Sequence, residues 1–324
     1  MGALRKLFSA TKTGPVRAAA GWGLAALLVW TAWTPGCGGR PSRVVVYAAQ
    51  DQVYAEPILK DFEDRAGVSV AAVYDSEAVK TVGLANRILA EKNYPQCDVF
   101  WGNEELRARQ LAAAGAFRET NGWVAFGYRS RRIVVNTNLL DPARAPRSLL
   151  ELTNAAWRGK VALAYPLFGT TAAHFAALRQ LWGPAQWERW CRALAANKPF
   201  VVDGNSAVAR LVARGEAQLG LTDSDDIAAV RRGGAPVIPL PMNEETLLIP
   251  NTVAVIRNAP HPEAADRLMR FLSSARVVRR LVRAGALEGA SKKEVKIRTL
   301  APDWGALLAE LDETTERLSA IFLR

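Results

Sequence analysis

Between Arg43 and Gly115 the chain repeats one pattern three times: a short apolar run, a polar turn, then a helix-like stretch. Residues 44–49 read as a buried strand. The turn Gln50-Asp51-Gln52 follows, then a helix with Val53, Ile58, Leu59 and Phe62 on one side, ending at Gly67. Residues 68–74 form the second strand, and Asp75-Ser76-Glu77 caps a helix over 78–92. Residues 97–101 are the third strand, and Gly102-Asn103-Glu104 turns into a helix over 106–114. Strands that are apolar throughout have no polar face to give to water. Alternating with helices, they dictate an α/β unit with a mostly parallel sheet covered on both faces. Such sheets bind ligands beyond the C-terminal ends of their strands, and the turns at Gln50, Asp75 and Asn103 lie on that edge.

From Trp123 the pattern changes. Residues 124–128 and 132–137 read as two successive strands, and Pro142 and Pro146 break the chain after them. The alternation then resumes: a short helix near 149–152, a strand over 160–165, a turn at 166–171 and helices over 172–181 and 185–196. A strand over 200–202, the turn Asp203-Gly204-Asn205-Ser206 and a helix to Arg214 follow. Residues 247–256 form a long strand, and 262–272, 275–284 and 304–322 read as helices. With 324 residues, half of them hydrophobic, the chain has room for two domains. The expected α/β architecture is two-lobed. Lobe one is 43–135 plus 252–324 and lobe two is 136–251, two doubly wound sheets joined by a hinge of two crossings. Polar turns then face each other across a cleft.

Leu219 to Val230 is the densest acidic turn: Thr222-Asp223-Ser224-Asp225-Asp226 sits between an apolar strand and the first turn of a helix. Such acids cap a helix and complement its dipole. Three of them within four residues also repel each other unless something cationic is present. Capping alone and capping plus a ligand site both fit the turn by itself.

The first 36 residues differ from the rest. Arg5, Lys6, Lys12 and Arg17 form a basic n-region without acids, 18–33 is an apolar h-region, and Thr34-Pro35-Gly36-Cys37-Gly38-Gly39 follows. This is the layout of a secretory signal. The apolar run of about 16 residues is short for a membrane span, which needs about 20. The small residues before Cys37 and the linker over 37–42 resemble a bacterial lipoprotein signal, with Thr34 where a Leu is usual. An acylated Cys37 would tether the chain to a membrane by its N-terminus only. Removing residues 1–36 lowers the formal net charge from +11 to +7. The remaining basic clusters, Arg129-Arg131-Arg132 among them, are not interleaved with aromatics. They read as basic surface, and no nucleic-acid partner is expected. Cys97 and Cys191 sit in apolar elements of different lobes and read as two buried hydrophobes. His174 reads as packing and His261, in Pro-His-Pro, as an exposed loop residue, so no zinc site is expected.

Residues 152–161, Leu-Thr-Asn-Ala-Ala-Trp-Arg-Gly-Lys-Val, resemble the ferric-ion-binding branch of the type II periplasmic solute-binding proteins of ABC importers. So do 251–265, which begin Asn-Thr-Val-Ala-Val-Ile-Arg-Asn-Ala-Pro-His-Pro, and Cys97-Asp98-Val99-Phe100-Trp101. The resemblance spans roughly residues 43–282. It implies a two-lobed type II fold, a small ligand held between the lobes, an ABC permease and ATPase as partners, and a monomer.

That branch usually holds iron with neighbouring tyrosines after a short lobe-two strand, and the matching positions here are Asp225 and Asp226. A lobe-one Glu of that branch aligns with Asn103, beside Glu104. A His that some members place after the first strand has no match, because that turn reads Gln50-Asp51-Gln52. The cradle for a synergistic anion is matched by Gly169-Thr170-Thr171 and Asn205, where a helix N-terminus with hydroxyls suits an anion. The expected ligand-binding set is therefore Asp51, Gln52, Tyr74, Ser76, Asn103, Glu104, Gly169, Thr170, Thr171, Asn205, Asp223, Asp225 and Asp226. Asp225, Asp226 and Glu104 are the metal ligands within it.

Carboxylates are hard donors that suit iron(III), Ca²⁺, Mg²⁺ or Mn²⁺, and equally a cationic organic solute such as a polyamine. No nucleophile elbow, phosphate loop or zinc signature is present. Paired carboxylates also serve glycoside hydrolysis, but there they flank a groove instead of crowding one turn. A carrier delivering iron(III) or another hard cation is the leading expectation, with no obligatory cofactor and no catalysis. A ligand sensor and a hydrolase on the same fold are the alternatives.

Overall fold

A computed structural model describes residues 42–75, 80–119 and 122–323, all within one compact unit. The signal-like segment, Cys37, Ser76 and Glu77 lie outside the described residues. The first lobe opens as expected, with strand β1 (Arg43–Ala48), helix α1 (Gln52–Ala66), β2 (Ser69–Val73), α2 (Lys80–Ala90), β3 (Val99–Gly102) and α3 (Glu105–Ala113). β2 and β3 flank β1 in parallel, with Arg43 opposite Ser69 and Val46 opposite Val99. α1 buries Tyr54, Ala55, Ile58, Leu59 and Phe62, one stripe at helical spacing, against that sheet. It ends at Gly67, whose φ of 62° is the left-handed cap that glycine adopts most easily.

Residues 124–137, read from sequence as two strands, form a single 14-residue strand, β4 (Trp123–Asn136). Gly127, at φ 65°, makes a bulge where the register shifts between Phe126 and Tyr128, so the strand bends without breaking. Its first half pairs antiparallel with β9 (Leu248–Val255). Its second half pairs with β7 (Leu219–Asp223) and β8 (Val237–Leu240). The switch falls between Ser130 and Arg131, earlier than the boundary near Asn136 read from sequence. β9 also pairs with β3 and carries the chain back.

The second lobe contains β5 (Val161–Ala164), α4 (Gly169–Trp182), α5 (Pro184–Ala196), β6 (Phe200–Val202), α6 (Asn205–Ala213), β7 and α7 (Ser224–Arg232). β6 and β7 flank β5 in parallel, repeating the first lobe's plan. α8 (Pro262–Leu272) and α9 (Ala275–Arg283) pack on the first sheet. The last residues depart from the expected division. α10 (Trp304–Ala309) joins a cluster with Leu106 of α3 and Ala173 of α4, and α11 (Leu311–Phe322) buries Leu318 and Ile321 in the core of lobe two. α11 thus braces the second lobe, whereas α10 packs between α3 of the first lobe and α4 of the second.

Cys97 and Cys191 are free and buried, as expected. His174 is buried and donates from Nε2 to the carbonyl of Glu245 at 2.6 Å. His261 is not a loose loop residue. Its backbone N–H and ring Nδ1 lie 2.6 and 3.0 Å from the buried carboxylate of Asp98, which locks the start of α8 to β3.

Candidate functional site

Both lobes turn the C-terminal ends of their parallel strands toward one cavity of ≈ 60 Å³. On a measure where one water occupies roughly 10–15 Å³, that is room for several waters, or for an ion with a small anion. Lobe one contributes Gln50 and Asp51 after β1, Thr81 of α2 and Asn103 after β3. Lobe two contributes Tyr165 and Phe168 to Thr171 around the start of α4, Asp203 to Asn205 before α6, and Asp223, Asp225 and Asp226. The N-termini of α1, α4, α6 and α7 all open on this space, because each helix follows a strand that ends there. Their free N–H groups favour negative charge nearby.

The acidic turn is not a set of exposed caps. Asp223, Asp225 and Asp226 are all buried, with potential ligand oxygens within 4.8 Å of one another. Asp223 occupies the N-cap position of α7, yet its side chain caps nothing. It accepts instead from Arg131 Nη1 at 2.6 Å, Thr170 Oγ1 at 2.8 Å and Arg129 Nη2 at 3.4 Å.

Part of the positive charge that this acidic turn requires is therefore built in, and it falls chiefly on Asp223. Arg129 and Arg131, two residues apart on β4, lie on the same face of the sheet, the face that Asp223 shares because it stands opposite Arg131 in register. Read from sequence as basic surface, they are 2% and 0% exposed in side-chain terms. Sequence reasoning missed them because an isolated strand does not reveal which face it buries. Arg131 also donates to Asn205 Oδ1 at 2.7 Å, and Asn205 donates to Thr170 Oγ1 at 2.9 Å, which ties α4, α6 and α7 together.

The surroundings push Asp223 and Asp225 in opposite directions. Burial raises the pKa of Asp223, but the charges of Arg131 and Arg129 and the hydrogen bonds from Arg131 and Thr170 outweigh it and hold the carboxyl below its ordinary value. Asp225 is pushed up to about 7, first by burial and then by Asp223 and Asp51, against the pull of Arg129. Its Oδ1 lies 3.3 Å from Arg129 Nε, but at an angle that makes no hydrogen bond, and neither atom has a hydrogen-bond partner among the described residues.

The remaining expected residues divide. Asp51, Asn103, Gly169, Thr170, Thr171 and Asn205 line the cavity. Thr81 donates to Asn103 Oδ1 at 2.7 Å. Glu104 is turned inward, where its carboxylate accepts the N–H groups of Leu106 and Arg107 at the start of α3. It is pushed up to about 7 by burial, and the cavity lining does not include it. Gln52 is exposed on α1, 3.2 Å from Glu56, and Tyr74 is half-buried outside the lining, its hydroxyl without a hydrogen-bond partner among the described residues. Gln50, Thr81, Arg129, Tyr165, Phe168 and Asp203 line the cavity but were not among the expected set.

Comparison with known proteins gives a consistent picture. A family model described as bacterial extracellular solute-binding protein matches residues 43–286. An uncharacterized protein of Haemophilus influenzae is 25% identical over 230 residues, 62% of this chain and 64% of its own length. The major ferric iron-binding protein of Neisseria meningitidis is 25% identical over 257 residues, 71% of this chain and 76% of its own length. Among solved structures, iron-bound HitA from Pseudomonas aeruginosa aligns with a TM-score of 0.76 at 20% identity, covering 87% of this chain and 99% of its own. The periplasmic binding protein AfuA from Actinobacillus pleuropneumoniae, solved with exogenous fructose-6-phosphate, aligns with a TM-score of 0.75 at 20% identity, over 88% of this chain and 99% of its own. The two-lobed type II fold is shared with both.

Proposed function

The chain belongs to the bacterial extracellular solute-binding proteins, and we propose that its cleft captures ferric iron, or another hard cation, with a small anion for delivery to an ABC permease and its ATPase. One observation carries the choice of ligand: the buried carboxylates of Asp225 and Asp226 line the interlobe cavity beside Asp223, with oxygens of all three within 4.8 Å of one another. Hard oxygen donors of that number and spacing suit a hard, highly charged ion. Asp225 and Asp226 stand where the resemblance expects tyrosines, so carboxylates replace phenolates. Gly169, Thr170, Thr171 and Asn205 cradle the anion at the starts of α4 and α6. The ferric-binding relative in Neisseria supports iron as the cargo. Family members are binding proteins, and no catalytic step is assigned.

In the same reading the chain is exported, acylated at Cys37 and monomeric, with a membrane contact through that lipid alone. Among the described residues no helix is long and apolar enough to cross a membrane. Mass spectrometry of membrane-extracted protein should find loss of residues 1–36 and added lipid on Cys37; a chain cut elsewhere would refute the tether.

A second reading, a phosphorylated sugar, is favoured by Arg129 in the cavity wall beside several helix N-termini, a setting that also suits a phosphate. Native mass spectrometry and metal analysis of freshly purified protein decide between the two. Iron in near-equimolar amount, lost in the Asp225→Asn/Asp226→Asn double variant, is the expected result. A metal-free protein carrying a sugar phosphate would overturn the cation reading.

A further inference from the structure

We infer that Arg129 is the affinity-setting residue of the cleft: a fixed cation in its wall that weakens ion capture in proportion to the ion's charge and so keeps the cargo releasable. This rests on the cation reading above. The guanidinium is immobilised from behind. Nη1 donates to Asn251 Oδ1 at 3.2 Å, and Asn251, fully buried, donates in turn to Gln50 Oε1 at 2.9 Å. Nη2 is shared with Asp223 at 3.4 Å. Only Nε faces Asp225, at 3.3 Å and without a hydrogen bond.

An ion bound by Asp225 and Asp226 therefore meets a positive charge that has no room to withdraw. Arg131 cannot play this part, because its short ion pair with Asp223 neutralises it and its bond to Asn205 holds it behind the cavity lining. Asp223 would stay satisfied without Arg129, through Arg131 and Thr170. The fold thus does not need Arg129's charge to hold that carboxylate. What the charge does at this position is oppose an incoming cation.

Coulomb repulsion scales with the charge of the ion, which gives the inference a signature that a packing role lacks. Tb³⁺ and Ca²⁺ have similar radii and the same taste for oxygen, so their comparison isolates charge. Arg129→Gln should bind Ca²⁺ tighter by about tenfold and Tb³⁺ by roughly thirtyfold, the logarithms standing near two to three. Arg129→Lys, which keeps the charge, should bind both ions within about threefold of the parent.

Titrations by calorimetry and by tryptophan-sensitised terbium luminescence read these values, with circular dichroism checking the fold. Equal or weaker binding by a folded Arg129→Gln, or equal gains for both ions, would overturn the inference while leaving the cation site intact. Should Arg129→Gln fail to fold, a Lys variant that gains affinity for either ion would overturn it equally. A parent protein that binds neither ion would refute the cation reading itself, and this inference with it.

Discussion

Replacing Asp225 by Asn should make the empty protein more stable while destroying its ligand site. Asp225 is buried in the first turn of α7 with one oxygen lacking any hydrogen bond. Its pKa stands at about 7 against an ordinary value of 3.8. Each unit corresponds to about 1.4 kcal/mol, so ionising Asp225 in the folded state costs on the order of 2–4 kcal/mol above pH 7. The sign follows from the raised value. Below about pH 4 the group is protonated in both folded and unfolded chains and costs nothing. Between about pH 4 and 7 only the unfolded chain gives up the proton readily, so stability falls as pH rises, and above 7 the full cost is present.

Asn is isosteric with the protonated acid and removes this slope. The opposing effect is loss of a charge partner for Arg129, which normally makes the breaking of a buried pair costly. Here Arg129 keeps Asp223 and Asn251, so it is not left alone. The variant should therefore match the parent near pH 4 and exceed it by about 2–4 kcal/mol at pH 8, a Tm rise of roughly 5–10 °C for a unit of this size. Urea and thermal unfolding of chelator-treated protein at pH 4, 6 and 8 measure it. A variant less stable than the parent at pH 8 would refute the reasoning: Asp225 would then be a net structural partner of Arg129 and not a carboxylate held in readiness for a ligand.

Arg232 of α7 donates to the Tyr54 hydroxyl of α1 at 2.7 Å and also to the carbonyl of Ala284, reaching from the second lobe to the first. Arg232→Ala should weaken ligand binding by about three- to tenfold and shift small-angle scattering of the liganded protein toward a larger radius; unchanged binding and scattering would remove this contact from closure. Burial, helped by Arg131, pushes the His174 pKa down to about 3, so its stabilisation is present above the unfolded value near 6.5 and is lost as pH falls from there toward 3. The slope should approach about 1.4 kcal/mol per pH unit in urea unfolding, and a folded His174→Gln protein that keeps that slope would show that other groups carry it. Gly127 sits at φ 65° against the Leu287 side chain, so Gly127→Ala should cost roughly 1–3 kcal/mol through strain and clash, read as a lower Tm.

Much of the fold was legible in the chain because it is local. The apolar runs at 44–49 and 97–101, the helical stripe Ile58–Leu59–Phe62 and the turns between them follow from side-chain period alone. They place Asp51, Asn103, Thr170, Asn205 and the acidic turn on strand ends that share one edge. What was not legible depends on faces and partners. Two strands became one at β4 because a single left-handed glycine bends the strand where the sequence reads as a break. Glu104 looked like a ligand, but its carboxylate is satisfied by the backbone at the start of α3. The helix at 311–322 looked continuous with the first lobe, and its apolar stripe found its complement on the second.

The arginines mark the limit most clearly. Arg129 and Arg131 alternate with Ser130 in a polar stretch that reads equally well as surface, and nothing near them in sequence is acidic. Only the antiparallel register that sets Arg131 opposite Asp223 brings the two charges together across 92 residues. Local sequence determined which residues arrive at the cleft edge, since periodicity and turn chemistry act over a few residues. Tertiary structure decided how those charges are paired, because Coulomb energy and desolvation depend on distance and burial, which the folded chain alone defines.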